Sequence, residues 1–297
     1  MFTIAPVYAI WLACFITALN VVLSKMATPY ITSAVFLLLS CAIATVCFAV
    51  YFRGSGEMKK MLRRDVWPKA LGMGTFGTAL PMTIFMVALN YTTPVNAAIM
   101  NQFEIIYSLI LAAILLKERP SLAQLGGSSL IILGVIMLVA KAGTSLQAKG
   151  DLLIIGCLWM YQVSHIFAKK LPSDLSPQFI AAARAAFAMP ALAVLVIGLA
   201  IWQPGGLLLE NKVSLWTILI VSAVLNYFIG NSFWYQAIRN MDLSKATAII
   251  LSYPVITCIL SIIAGQDTFS FYKLAGMVLA LGGAYIVTGS AKRKQGD

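Results

Sequence analysis

Charge is the scarcest thing in this sequence. Asp, Glu, Lys and Arg make up only 10% of its 297 residues, where a soluble domain carries about 25%. Acid–base chemistry has little to work with: ten acidic residues and a single histidine, His165. An intramembrane enzyme needs a catalytic set such as a GxSxG serine, an HExxH pair or two facing aspartates. None is present, and Asp151, Asp174, Asp242 and Asp267 all fall at the ends of apolar runs. The chain therefore reads as a non-enzyme. Its five cysteines (Cys14, Cys41, Cys47, Cys157, Cys258) lie inside apolar runs, and none forms a CxxC pair. They read as small packing residues rather than disulfides or metal ligands. No second His or Cys stands beside His165, so no metal site is expected, nor is a cofactor. No stretch between the apolar runs is long enough to hold a soluble domain.

What is there is oil. The chain is 61% hydrophobic, with a mean hydropathy of +0.90. Soluble helices keep a polar stripe, whereas residues 122–140 are apolar or small nearly all round. The chain is expected to be an all-α integral membrane protein. A bilayer core takes roughly 20 helical residues. Ten candidate spans fit: 6–25, 33–52, 68–89, 95–116, 121–140, 151–170, 178–202, 214–237, 246–265 and 271–290. The first reads as a span and not a removed signal peptide, since no basic stretch precedes it and no small-residue cleavage site follows.

The net charge of +11 is placed by topology. Fifteen Lys and Arg fall in the tail and in the loops after spans 2, 4, 6 and 8. Five (Lys25, Lys141, Lys149, Lys212, Lys273) fall on the other side, leaving Arg184 inside span 7. The positive-inside rule then puts both termini in the cytoplasm, with a bacterial inner membrane as the expected location. Basic residues in short loops do not make the folded basic face of a nucleic-acid binder. The segment SGEMKKMLRRD reads as an interfacial basic loop touching anionic lipid. Arg184 reads as a snorkelling residue that reaches the cytoplasmic headgroups, with an inward pair with Glu104 as the alternative.

The chain also resembles itself. Under a shift of 149 residues, ALNYTTPVNAAI (88–99) meets AIRNMDLSKATA (237–248), and LGGSSLIILGVIML (125–138) meets LAGMVLALGGAYIV (274–287). Gly127 falls on Gly276 and Gly134 on Gly283. A shift of 144 pairs Lys25 with Lys169 and Ser40 with Arg184. Five spans per half, an odd number, force the second half upside down. The loops agree: the one after span 2 is strongly basic, and its counterpart after span 7 has one Lys. Two inverted five-helix repeats, 1–145 and 146–297, are therefore expected to form one membrane unit. Inverted repeats are a hallmark of secondary transporters.

These stretches, with LLKERPSLAQLGGSSLIILGV (115–135) and WYQAIRNMDLSKATAIILSYPVITCIL (234–260), resemble the EamA-type transporters of the drug/metabolite transporter superfamily. The resemblance runs over nearly the whole chain. It implies ten helices around a central cavity lined by spans 1, 3, 4, 6, 8 and 9, and it implies transport of small metabolites, including amino acids. The family often carries Arg in spans 2 and 7; here the first position is Ser40. Glu118 ends span 4, whereas span 9 ends in Gly265-Gln266-Asp267.

Glu104 is the sharpest single feature. At about 1.5 Å per residue it lies roughly 13–15 Å into span 4, near the bilayer midplane. Asn101, Glu104, Tyr107 and Ser108 form a polar stripe that should face the bundle interior. Two readings fit: a carboxylate that binds an amine or takes up a proton, or a residue that hydrogen-bonds helices together. Its repeat partner is Tyr253, followed by a mid-span Pro254. Thr17 and Asn20 in span 1, Thr78 and Met82 in span 3, Tyr161 and His165 in span 6, and Asn231 and Trp234 in span 8 fit the same interior. With Glu104, Asn101, Ser108 and Tyr253, they are the candidate substrate-binding or proton-coupling residues. The expected function is secondary transport of a small metabolite, an amino acid or related compound, in the export direction and by alternating access, with proton coupling through Glu104. A passive channel is the alternative. The expected partners are the small-molecule substrate and membrane lipid, with no nucleic acid and no assigned oligomeric state.

Overall fold

The structure, a computed structural model, describes residues 4–115, 121–142, 146–172, 174–202, 206–240, 249–250 and 252–291. Its elements are helices, joined by turns. They are α1 (Pro6–Ala27), α2 (Ser33–Tyr51), α3 (Trp67–Gly74), α4 (Leu80–Ala88), α5 (Pro94–Met100), α6 (Glu104–Leu115), α7 (Leu122–Ala142), α8 (Leu146–Cys157), α9 (Trp159–Lys169), α10 (Pro177–Trp202), α11 (Val213–Ser222), α12 (Asn231–Asn240), α13 (Tyr253–Ile263) and α14 (Phe271–Ala291). Their starts follow local chemistry. Pro6, Pro94 and Pro177 supply a fixed φ where no amide donor is needed. Thr93 caps α5 by accepting from the Asn96 amide. Ser121 and Gln124 cap α7 reciprocally, each side chain accepting from the other's backbone amide. A lone antiparallel bridge, Ile31 to Leu209, ties the turn after α1 to the turn before α11.

Among the described residues, five helices are long and apolar enough to cross a membrane: Pro6–Ala27, Ser33–Tyr51, Trp67–Ala88, Pro177–Trp202 and Val213–Ala237. Shorter apolar helices accompany them at Leu122–Gly134, Tyr253–Ile263 and Phe271–Ile286. Large apolar side chains such as Val194 and Trp202 point outward, as they must where the solvent is hydrocarbon. The buried clusters mix side chains from before and after residue 146. One joins Cys14 and Ala18 of α1 with Ile154 of α8, Tyr253 of α13 and Ala280 of α14. Another joins Phe36 of α2 and Met86 of α4 with Ala185 of α10 and Leu219 of α11.

The helices are not equally regular. The helices α1, α2, α7, α10 and α14 run unbroken. The stretch 67–88 opens into a π-helix at Thr75–Ala79, and 213–240 does so at Ala223–Gly230. Under the 149-residue shift, 75–79 falls on 224–228, so matched stretches carry the same irregularity. The stretch from Pro94 tightens into a 3-10 turn at Asn101–Phe103. Between α8 and α9 the helix breaks at Leu158, and α13 starts afresh at Tyr253. Pro254 thus occupies the first turn of a new helix, where its ring is tolerated. The sequence reading had placed it within a continuous 246–265 span.

Glycine lets α7 and α14 touch backbone to backbone. A Cβ on Gly134 would lie 2.7 Å from the carbonyl oxygen of Gly276, and one on Gly283 would strike the carbonyl oxygen of Gly127. The two contacts run in opposite directions, so the helices are antiparallel. They also exchange partners under the repeat, since 127 corresponds to 276 and 134 to 283.

Candidate functional site

The helix irregularities meet at one polar cluster. Glu104 opens α6 directly after the 3-10 turn, partly buried. Gln162 of α9 donates its side-chain amide to Glu104 Oε1 across 2.9 Å. Arg184 lies inside α10 and points inward. Its Nε donates to Thr78 Oγ1 at 2.9 Å, and its Nη2 donates to the carbonyl oxygen of Gly77. That carbonyl belongs to the π-helix, a departure from the i to i+4 ladder that is frequent at functional sites. The guanidinium also acts electrostatically on Glu104 and Tyr161, and Tyr235 faces it. Arg184 therefore does not snorkel. The guanidinium finds fixed acceptors on the neighbouring stretch 75–79, as an ionisable group inside a helical bundle must. Tyr227 completes the group by donating to Met82 Sδ at 3.4 Å.

Of the residues named from the sequence, Glu104, Thr78, Met82 and Tyr161 come together here. Asn101 and Tyr253 form a pair beside them. Asn101 Nδ2 donates to the Tyr253 hydroxyl at 2.8 Å, and that hydroxyl donates to Ala98 O at 3.1 Å. Asn20 accepts from Ser222 Oγ at 2.5 Å, a link between α1 and α11. Thr17 is partly buried in α1. Asn231 donates along its own helix to Tyr227 O, and Trp234 packs among apolar side chains, so neither joins the cluster. The side chains of Ser108 and His165 lie outside the described residues, as does Glu118.

A second polar group closes one end of the bundle. Asp151 is fully buried; it accepts from Thr92 Oγ1 at 2.5 Å and from Asn96 Nδ2 at 3.5 Å. Lys25 donates to the carbonyl oxygens of Leu89 and Thr92. Lys273 pairs with Asp267, both side chains less than a tenth exposed. Gln266 donates to Val22 O at 3.2 Å. Charge proximity links the parts, Lys273 acting on Asp151 and Asp267 on Lys25. These groups lie at the ends of apolar runs, yet Asp151 and Lys273 are buried, the Asp267 side chain is almost wholly covered and Lys25 is partly buried.

The family model described as "EamA-like transporter family" matches the chain twice, over residues 5–140 and 148–289. The chain belongs to this family. Among curated relatives it is similar to "Uncharacterized transporter YyaM" of Bacillus subtilis, at 23% identity over 80% of this chain and 79% of that one. It is 24% identical to an "Uncharacterized transporter" of Archaeoglobus fulgidus, over 92% of this chain and 97% of the relative. It is 23% identical to the "Probable amino-acid metabolite efflux pump" of Salmonella typhimurium, over 73% and 75% of the two chains. A crystal structure with 18% sequence identity shares its fold, with a TM-score of 0.65 and 97% of each chain covered. This EamA-like chain is thus an integral membrane protein of a transporter family, a family whose members move small molecules.

Sequence reasoning sets Gln162 beside His165 on an interior face and weighs Arg184 as a partner of Glu104. It passes over the hydrogen bond from Gln162 to Glu104, and the mutual approach of Lys25, Asp151, Asp267 and Lys273.

Proposed function

We propose that this chain is a secondary transporter that moves a small zwitterionic metabolite, an amino acid or close relative, outward by alternating access. One observation carries the reading. The breaks and π segments fall in the stretches expected to line a cavity, and they converge on Glu104, Gln162, Arg184 and Thr78. Broken helices near the midplane are how transporters present backbone and side-chain groups to a substrate. Opposite charges in one cluster suit a zwitterion, with the ammonium on Glu104 and the carboxylate on Arg184. The name of the Salmonella relative supports the same class.

The reading includes ten helices in two inverted halves, with both termini cytoplasmic in a bacterial inner membrane. The antiparallel, partner-exchanging contact of α7 with α14 supports inversion, because such a contact implies a two-fold axis across the helices and not along them. The Lys25, Asp151, Asp267 and Lys273 group then forms the closed outer end of an inward-facing state. Glu104 couples transport to protons, since substrate and proton compete for one carboxylate.

The test is uptake into proteoliposomes driven by a pH gradient. Glu104→Gln is expected to abolish gradient-driven accumulation while the protein stays folded and monodisperse. Unchanged accumulation in that variant would remove Glu104 from the mechanism. A reporter fused after Asp297 should read as cytoplasmic.

A further inference from the structure

The segment between α2 and α3 is short, basic and half apolar. Its 3-10 turn, Glu57–Leu62, is braced internally by Lys60 with Glu57, and the segment is held by Arg63, which pairs with Asp65 and reaches across to Asp174. Lys59 and Arg64 are exposed and, among the described residues, enter no ion pair. The same segment has an apolar side. Met58, Met61 and Leu62 face Ala186, Phe187 and Pro190 of α10 across a groove of about 440 Å³, which Lys59 also lines. Leu62 is 81% exposed. From the groove an exposed apolar stripe continues along α10 through Pro190, Val194, Ile197 and Ile201. The spacing of three and four residues puts them on one face. That stripe is about 16 Å long at the helical rise, close to half of a ~30 Å hydrocarbon core.

An apolar stripe one leaflet deep, ending in a groove with an unpaired ammonium at its basic end, matches a single phospholipid. We propose that this groove binds one anionic phospholipid, with its phosphate on Lys59 and an acyl chain along Phe187, Pro190 and Val194. Charge selects the headgroup. The nearby carboxylates of Glu57, Asp65 and Asp174 are already paired, so Lys59, the one basic residue lining the groove, leaves it cationic. A zwitterionic lipid brings its own positive group to that surface and gains less. The lipid would wedge the interfacial segment against α10 and hold the basic loop on the inner leaflet.

The test needs no transport assay, so its outcome is independent of the transport reading. The full chain is purified in neutral detergent, and lipid retention is counted by native mass spectrometry with phosphatidylglycerol or phosphatidylcholine added at equal concentration. The chain is expected to retain one phosphatidylglycerol about fivefold better than phosphatidylcholine, the gain of one basic residue at the surface. Lys59→Gln should bring the two lipids to parity, whereas Lys170→Gln, an exposed lysine elsewhere, should change nothing. Pro190→Trp, at an exposed position that fills the groove, should lower retention of both lipids. Equal retention of the two lipids by wild-type protein would overturn the proposal. So would equal effects of Lys59→Gln and Lys170→Gln, which would mean diffuse charge attraction, or a Pro190→Trp variant that retains lipid like wild type.

Discussion

Gln162 and Glu104 are joined by a 2.9 Å hydrogen bond between α9 and α6. The bond spans the two stretches matched by the family model. An amide is a neutral donor, and a substrate ammonium or a proton can displace it from a carboxylate. Gln162→Leu removes that donor and leaves Glu104 one hydrogen bond short inside the bundle. The expected cost is about 1–3 kcal/mol of stability, read as a lower Tm in detergent. Because the carboxylate survives, pH-gradient-driven accumulation should persist with an altered KM. Complete loss of gradient driving in Gln162→Leu would show that the amide itself carries the coupling.

The Lys273–Asp267 pair predicts how the closed end responds to charge. Removing one partner of a buried pair leaves an uncompensated charge and costs about 3–5 kcal/mol, while replacing both with apolar residues is often neutral or stabilising. Asp267→Asn should therefore loosen this end, and Asp267→Leu with Lys273→Met should lock it. A cysteine at Ala97, fully buried next to Asn96, reports the difference in a background without the native cysteines. Labelling by a membrane-impermeant maleimide should rise in the single variant and fall below wild type in the double variant, with transport falling in both. Equal labelling in all three proteins would mean that the pair does not control access.

Much of the bundle was legible in the sequence, and the reasons it stopped being legible are physical. Hydropathy runs located the apolar helices because each is a local property of about 20 residues. Glu104 stood out because one carboxylate in a greasy stretch must find a partner. The partner itself lay 58 residues away, and no spacing rule reaches that far. For Arg184 the inward alternative ranked second to snorkelling for the same reason. Snorkelling is a local expectation, whereas its acceptors are Thr78 and the Gly77 carbonyl of a π-helix more than a hundred residues upstream. The π segments have no composition of their own; they follow from packing. Asp151 was placed only at a span end, and its partners Thr92 and Asn96 lie 59 and 55 residues away in the chain.

Arg63 clamps the segment after α2 to Asp174, with Nη1 to Oδ2 at 2.8 Å, while its other nitrogens bond Asp65. The hydrogen bonds from Arg63 hold both carboxyls below their ordinary value of 3.8. A depressed carboxylate pKa stabilises the fold above the unfolded value, and that contribution is lost as pH falls through the folded one. Wild type should therefore be more stable than Arg63→Gln by a constant margin from pH 8 to pH 5. The margin should close as the pH drops below 3.8. Thermal unfolding in detergent across that range checks it; a gap that changes between pH 8 and pH 5 would assign the clamp to other groups.

Gly134 and Gly282 lie on helices that pack together, yet they should respond oppositely to a larger side chain. A Cβ on Gly134 would sit 2.7 Å from the Gly276 carbonyl oxygen, a backbone atom that cannot rotate away, whereas a Cβ on Gly282 meets nothing within 4 Å. Gly134→Leu must push α7 off α14, and overpacking of this kind costs about 1–3 kcal/mol. Gly282→Leu adds a side chain on an exposed face and replaces a poor helix former with a good one. The first variant should unfold at a lower temperature than wild type and the second at the same temperature or higher. Neither residue touches the Glu104 cluster, so substrate KM should stay within about twofold in both. If Gly134→Leu instead raised KM sharply at unchanged stability, the α7–α14 contact would be part of the moving machinery and not a fixed seam.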